Sequence, residues 1–214
     1  MGPFSAVKCP ILFTPGNHED YEYLNMKSKH GGAPGAPGNT FPVDCYKAFH
    51  CVHNGTVAEL KGRDGSRLRV GALWGIEDTR PGAAYRISIE SVDRLLGAGP
   101  CGFDVLLTHD TAAGLHPSWR GSPRIREIIE LCEPVFHLFG HVHPVEGKHA
   151  YALPGSRTQS WILEDVGFGQ KCHGTLAGAM AILTWNAESG TAELVTDSWL
   201  DRMRFRNWGK IFPL

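Results

Sequence analysis

Three short apolar runs in this chain each stop abruptly at a residue able to ligate a metal or meet an anion. Lys8 to Thr14 is closed by Pro15-Gly16 and followed by Asn17-His18-Glu19. Asp104 to Thr108 ends at His109-Asp110, and Val135 to Phe139 ends at Gly140-His141-Val142-His143. Runs of this length bounded by turn residues read as buried strands. In α/β sheets, ligands bind outside the carboxyl ends of the strands, so three ends that deliver amide and imidazole groups converge on one site. Gly16 before Asn17 and Gly140 before His141 let the backbone turn sharply and present the next side chain.

The intervening segments fit a mixed α/β chain. Glu19 to Lys29 and Ile89 to Leu96 predict short helices. Ser122-Pro123 supplies a cap and a first-turn proline, and Ile125, Ile128, Ile129 and Cys132 follow at helical spacing. From Ala48 to Ile76 the pattern predicts strands joined by hairpins at Asn54-Gly55 and Asp64-Gly65. Late strands are predicted at Tyr151 to Leu153, Ala179 to Trp185 and Thr191 to Thr196. Gly31 to Gly38 alternates glycine and proline too densely for regular structure and reads as a surface loop, an insertion rather than a lid.

Composition narrows the class. The 214 residues are 42% hydrophobic and 20% charged with a formal net charge of −1, and the basic residues are scattered singly. Neither a nucleic-acid groove nor an anionic membrane is an expected partner. No apolar run reaches the length of a membrane span, and the first residues lack the apolar core of a signal peptide. Six cysteines without framework spacing read as reduced, buried thiols in a cytoplasmic protein, Cys45 and Cys51 included despite the neighbouring His50 and His53.

Asn17 offers a carbonyl oxygen, while His109, His141 and His143 offer ring nitrogens. Such a donor set suits Mn, Fe, Zn or Co better than Mg alone or Ca. His18 follows the ligand-type Asn17 and is placed to reach a substrate. Taken singly, each histidine reads as a hydrogen-bonded strand-end residue; together, at glycine-turned strand ends, they read as a site. His137, inside a strand, reads as a core histidine. His116, His149 and His173 fall in loops and are expected to be solvated, with His116 near enough to His109 to line the site. Glu19 and Asp110 are expected to orient an imidazole or cap a helix.

Gly-Asn-His-Glu, then a strand-ending His, then Gly-His-x-His resembles the calcineurin-like metallophosphoesterase family, in this order and over nearly the whole chain. The resemblance implies two facing mixed β-sheets flanked by helices, a four-layer sandwich. It implies two divalent metal ions, with Asn17, His109 and His141 on the second and His143 on the first. His18 would contact the phosphoryl oxygen or protonate the leaving group, and the nucleophile would be a metal-bound hydroxide. The implied reaction is hydrolysis of a phosphomonoester or phosphodiester, with a lean towards a small-molecule substrate. The family's earlier motifs, Asp-x-His and Gly-Asp-x-x-Asp, do not occur, and the segment before Asn17 holds no Asp, Glu or His. The expectation is therefore an N-terminally incomplete phosphoesterase domain over residues 1–198 with a tail over 199–214. The alternative is a non-catalytic metal-binding or scaffolding homologue that has lost the first metal.

Overall fold

The computed structural model of the chain describes residues 9, 11–29, 37–80, 82–164, 178–186 and 189–197. Most of the Gly/Pro run at 31–38, His173 and the tail from Trp199 lie outside the described residues.

The chain opens with β1 (Ile11–Phe13), α1 (Tyr21–Ser28), β2 (Thr40–Pro42) and β3 (Phe49–Val52). β1 pairs parallel to β3 and β2 antiparallel to it, giving a three-stranded sheet with β3 in the middle. Next come β4 (Thr56–Lys61), β5 (Arg67–Leu73), α2 (Ile89–Leu96), β6 (Val105–Thr108), α3 (Pro123–Cys132), β7 (Phe136–Phe139), β8 (Ala150–Tyr151) and β9 (Gln159–Ile162). Their strands form a six-stranded sheet in the order β4-β5-β6-β7-β9-β8. β5, β6, β7 and β9 run parallel, and β4 and β8 close the edges antiparallel. β10 (Ala181–Trp185) and β11 (Gly190–Leu194) make an antiparallel hairpin.

Side chains alternate across the six-stranded sheet as strand geometry requires. Leu73 and Leu106 point to α2 and α3, where Val92, Leu95, Ile125, Ile128, Ile129 and Cys132 bury their helical stripe. Val70, Val105, Leu107 and Phe136 point the other way, against Leu12 of β1 and against Leu183, Trp185 and Ala192 of the hairpin. Each fully buried Leu or Ile contributes about 1.5–3 kcal/mol relative to an exposed one. Two mixed sheets with helices on the outside are what the sequence leads one to expect of this family. Among the described residues no helix is long and apolar enough to cross a membrane.

Local chemistry explains the helix starts. The side chains of Asp20, Ser88 and Ser122 accept the backbone N–H of Tyr23, Ser91 and Ile125, each satisfying a donor the first turn leaves open. Glu133 takes a left-handed conformation after α3, ahead of Pro134.

Several expectations need correcting. Asn54-Gly55 is a turn but not a hairpin, because β3 and β4 belong to different sheets. Gly55 has φ +66° and sits against Ser91 of α2, where the chain crosses from one sheet to the other. The strands β2 and β9 were not predicted. Cys9, Cys45 and Cys101 are exposed, so only Cys51 and Cys132 of the described cysteines are buried thiols. His149 is buried rather than solvated, its Nδ1–H donating to the Ile162 carbonyl at 2.9 Å.

Candidate metal centre

The carboxyl ends of β1, β6 and β7 meet at one end of the sheets. Thr14, just past β1, donates its hydroxyl to the Leu73 carbonyl at the end of β5. Gly75 N–H donates to the Pro15 carbonyl, and Gly140 N–H donates to the His109 carbonyl. These links fix the loops that begin at Pro15, Trp74, His109 and Gly140 against one another.

Within that frame the Asn17 Oδ1 and the His109 Nε2 stand 3.1 Å apart. The His141 ring lies against that of His109, with centroids 5.2 Å apart. His18 is exposed and near enough to act electrostatically on His109. The structure therefore brings together Asn17, His109 and His141, with His18 beside them. His143 is exposed two residues beyond His141.

Two backbone features make this packing specific. A Cβ on Gly16 would lie 2.4 Å from the His109 ring, so only glycine leaves room for that imidazole. His141 has φ +66°, and the Val142 N–H donates across it to the Gly140 carbonyl at 2.8 Å. The result is a γ-turn in its strained, positive-φ form, which projects the imidazole outward from the strand end.

Glu19 and Asp110 brace the loops rather than the rings. The Glu19 carboxylate accepts the Gly16 N–H at 2.6 Å, and the α1 cap is Asp20 instead. Asp110 accepts the N–H groups of Glu77 and Thr111, both at 2.8 Å. Glu77 in turn accepts from the Ser122 hydroxyl and pairs with Arg124. This chain from Asp110 through Glu77 to the start of α3 was not read from the sequence. Its one advance signal was an acidic residue directly after a strand-ending histidine.

Electrostatics suit metal ligation. Burial holds the His109 pKa below the ordinary histidine range, helped by the neighbouring His141 and opposed by Glu19 and Asp110. Its ring is thus neutral near pH 7, with a lone pair to offer. Burial raises the Asp110 carboxyl, against the stabilising N–H groups of Glu77 and Thr111. Among the described residues no group of three or more His, Cys, Asp or Glu side chains is placed to hold a metal ion. The set that converges is two imidazoles and an amide, and a divalent ion of the Mn, Fe, Zn or Co type fits that chemistry.

His137 and His116 stand apart from this set. His137 is fully buried, and Thr108 sends its hydroxyl proton to the Asp110 carbonyl. The His137 Nε2–H consequently donates to Thr108 Oγ1 at 2.9 Å, and Nδ1 accepts from Ser160 at 3.1 Å. His116 bonds to Ser118 and packs on Trp119 and Tyr151.

Residues 1–145 match the family model of calcineurin-like phosphoesterases. The chain belongs to this family. Calcineurin-like phosphoesterases generally use divalent metals, and membership points to a metal-dependent phosphoesterase. No curated protein is significantly similar to this calcineurin-like phosphoesterase.

Proposed function

We infer that the chain hydrolyses a phosphomonoester or phosphodiester with the help of a divalent ion held by Asn17, His109 and His141. The observation that carries this reading is the convergence of those three side chains, from three separate strand ends, beside the exposed His18. His143 is assigned to the other of the two ions, the first metal of the family's pair. His18 hydrogen-bonds a phosphoryl oxygen and hands a proton to the leaving oxygen. A bound divalent ion supplies Lewis-acid polarisation and makes water a better nucleophile at neutral pH. The strained turn at His141 and the fit of Gly16 under His109 hold the ligands in place before the ion arrives, which lowers the ordering cost. A small phosphoester is the favoured substrate class, because the chain carries no run of basic residues. Free cysteines among the described residues favour a reducing, cytoplasmic setting.

A second reading keeps the metal and drops the chemistry. It is favoured by the two carboxylates nearest the site, Glu19 and Asp110, both of which are turned to backbone N–H groups. Hydrolysis of a nitrophenyl phosphodiester in Mn²⁺ separates the two. The catalytic reading expects turnover that falls about 10²–10⁴-fold in His18→Ala. Folded, Mn²⁺-loaded protein that cleaves neither monoesters nor diesters would favour the scaffold, and equal rates in wild type and variant would remove His18 from the mechanism.

A further inference from the structure

One face of α1 borders a cavity of about 420 Å³ to which none of the candidate metal ligands contributes. Its volume is within the range of small-molecule sites, about 300–1,000 Å³. Tyr21, Asn25 and Ser28 line it from one face of α1, at the i, i+4, i+7 spacing of a helix. The turn between β3 and β4 and the start of α2 complete the wall.

The chemistry of the lining is one-sided. It includes Arg86 and Arg94 and no acidic side chain. The Arg86 guanidinium has no hydrogen-bond or ion-pair partner among the described residues, and it comes from the loop end that bridges to Ile76. Arg94 is held by neutral oxygens, donating to the Asn54 carbonyl at 2.9 Å and the Ser91 hydroxyl at 2.8 Å. Neither guanidinium is hydrogen-bonded to a carboxylate among the described residues, Glu90 acting on Arg94 only through space, and such a pair favours an oxyanion. Three amides extend the cavity beyond them. Asn39 spends its Nδ2 on the Val57 carbonyl and Asn54 spends its Oδ1 on the Trp74 N–H, which leaves one an acceptor and the other a donor. Asn25 has both side-chain functions open among the described residues. Amides that both donate and accept match hydroxyl groups, which do the same.

We propose that this cavity binds a hydroxylated organic anion, a sugar phosphate or sugar acid, with its anionic group at Arg86 and Arg94 and its hydroxyl groups among Asn25, Asn39 and Asn54. The site stands independently of the phosphoesterase reading, because it needs neither the metal nor the histidines.

The test uses the full chain freed of metal on a chelating resin, titrated calorimetrically with glucose 6-phosphate, glucuronate and glucose. At least one of the two anions binds saturably at millimolar concentration, and glucose binds at least tenfold more weakly. Binding of both anions means a carboxylate suffices; binding of glucose 6-phosphate alone means a phosphate is required. Arg86→Ala, whose side chain braces nothing, weakens the anion at least tenfold while circular dichroism stays unchanged, and His141→Ala leaves the affinity as it was. No binding of either anion, equal binding of glucose, full affinity in Arg86→Ala, or loss in His141→Ala would overturn the proposal.

Discussion

The Asn17 Oδ1 and the His109 Nε2 are 3.1 Å apart although 92 residues separate them in the chain. Such a contact exists only because β1 and β6 end at the same level, one in each sheet, tied through Thr14 and Leu73. The proposed metal centre is thus a property of how two sheets are stacked, and substitutions that shift either strand end should disturb it without touching Asn17, His109 or His141.

Gly16 is the most sensitive of these positions. Replacing it with alanine puts a methyl 2.4 Å from the His109 ring. The ring gives way more easily than the backbone does, so stability falls by less than about 1–2 kcal/mol while the ligand is displaced. Misplacing a supporting element typically costs 10–100-fold in metal affinity, and Gly16→Ala is expected to do the same with the urea midpoint little changed. A Gly16→Ala protein with full Mn²⁺ affinity would contradict the packing described.

Asp110 acts on stability. Asp110→Ala strands the N–H groups of Glu77 and Thr111, the latter in a fully buried residue. A buried donor left without its partner costs about 1–3 kcal/mol. The variant should therefore lose at least about 2 kcal/mol in urea unfolding, and a loss under half of that would mean water replaces the carboxylate.

Much of this was legible in the chain and some was not, for physical reasons. Helix limits followed from caps and periodicity, which are local, and α2 occupies the span its apolar spacing indicates. The three strand ends that carry Asn17, His109 and His141 were legible because a buried parallel strand is an uninterrupted apolar run. β9 was not, since Gln159-Ser160-Trp161-Ile162 becomes a strand only by pairing with β7 and β8. Asn54-Gly55 signalled a turn correctly, but a turn does not say which strands it leaves paired. The burial of His149 depends on the distant Ile162 carbonyl, and no local pattern announces it. Asp110 looked like a partner for imidazole and instead fastens the backbone of a neighbouring loop.

The acid response should carry the signature of His137. Burial pushes its pKa down from 6.5 to about 3, so the folded protein refuses a proton that the unfolded chain accepts. Stability from this residue is complete above the unfolded value of 6.5 and is lost as pH falls towards about 3. In that window the slope is about 1.4 kcal/mol per pH unit. Urea unfolding at several pH values checks it by comparison with His137→Asn, whose stability should vary less steeply by about that amount. Identical slopes would contradict a neutral, buried His137.

Gly55 tests the crossing between sheets. An alanine there adopts φ +66° against its preference and places its Cβ 2.5 Å from the Ser91 backbone. The left-handed conformation alone costs about 1–2 kcal/mol, and α2 must also move. Gly55→Ala should lower the unfolding free energy by at least about 2 kcal/mol. An unchanged midpoint would mean α2 does not pack on this turn.

The central claim is that Asn17, His109 and His141 form one metal site. The direct measurement is Mn²⁺ binding to the metal-free chain, followed by electron paramagnetic resonance of the free ion. Wild type should bind Mn²⁺ saturably, with at least tenfold weaker binding in each of Asn17→Ala, His109→Ala and His141→Ala while the fold is retained. Unaltered affinity in the three variants, or no saturable binding by the folded wild type, would contradict it.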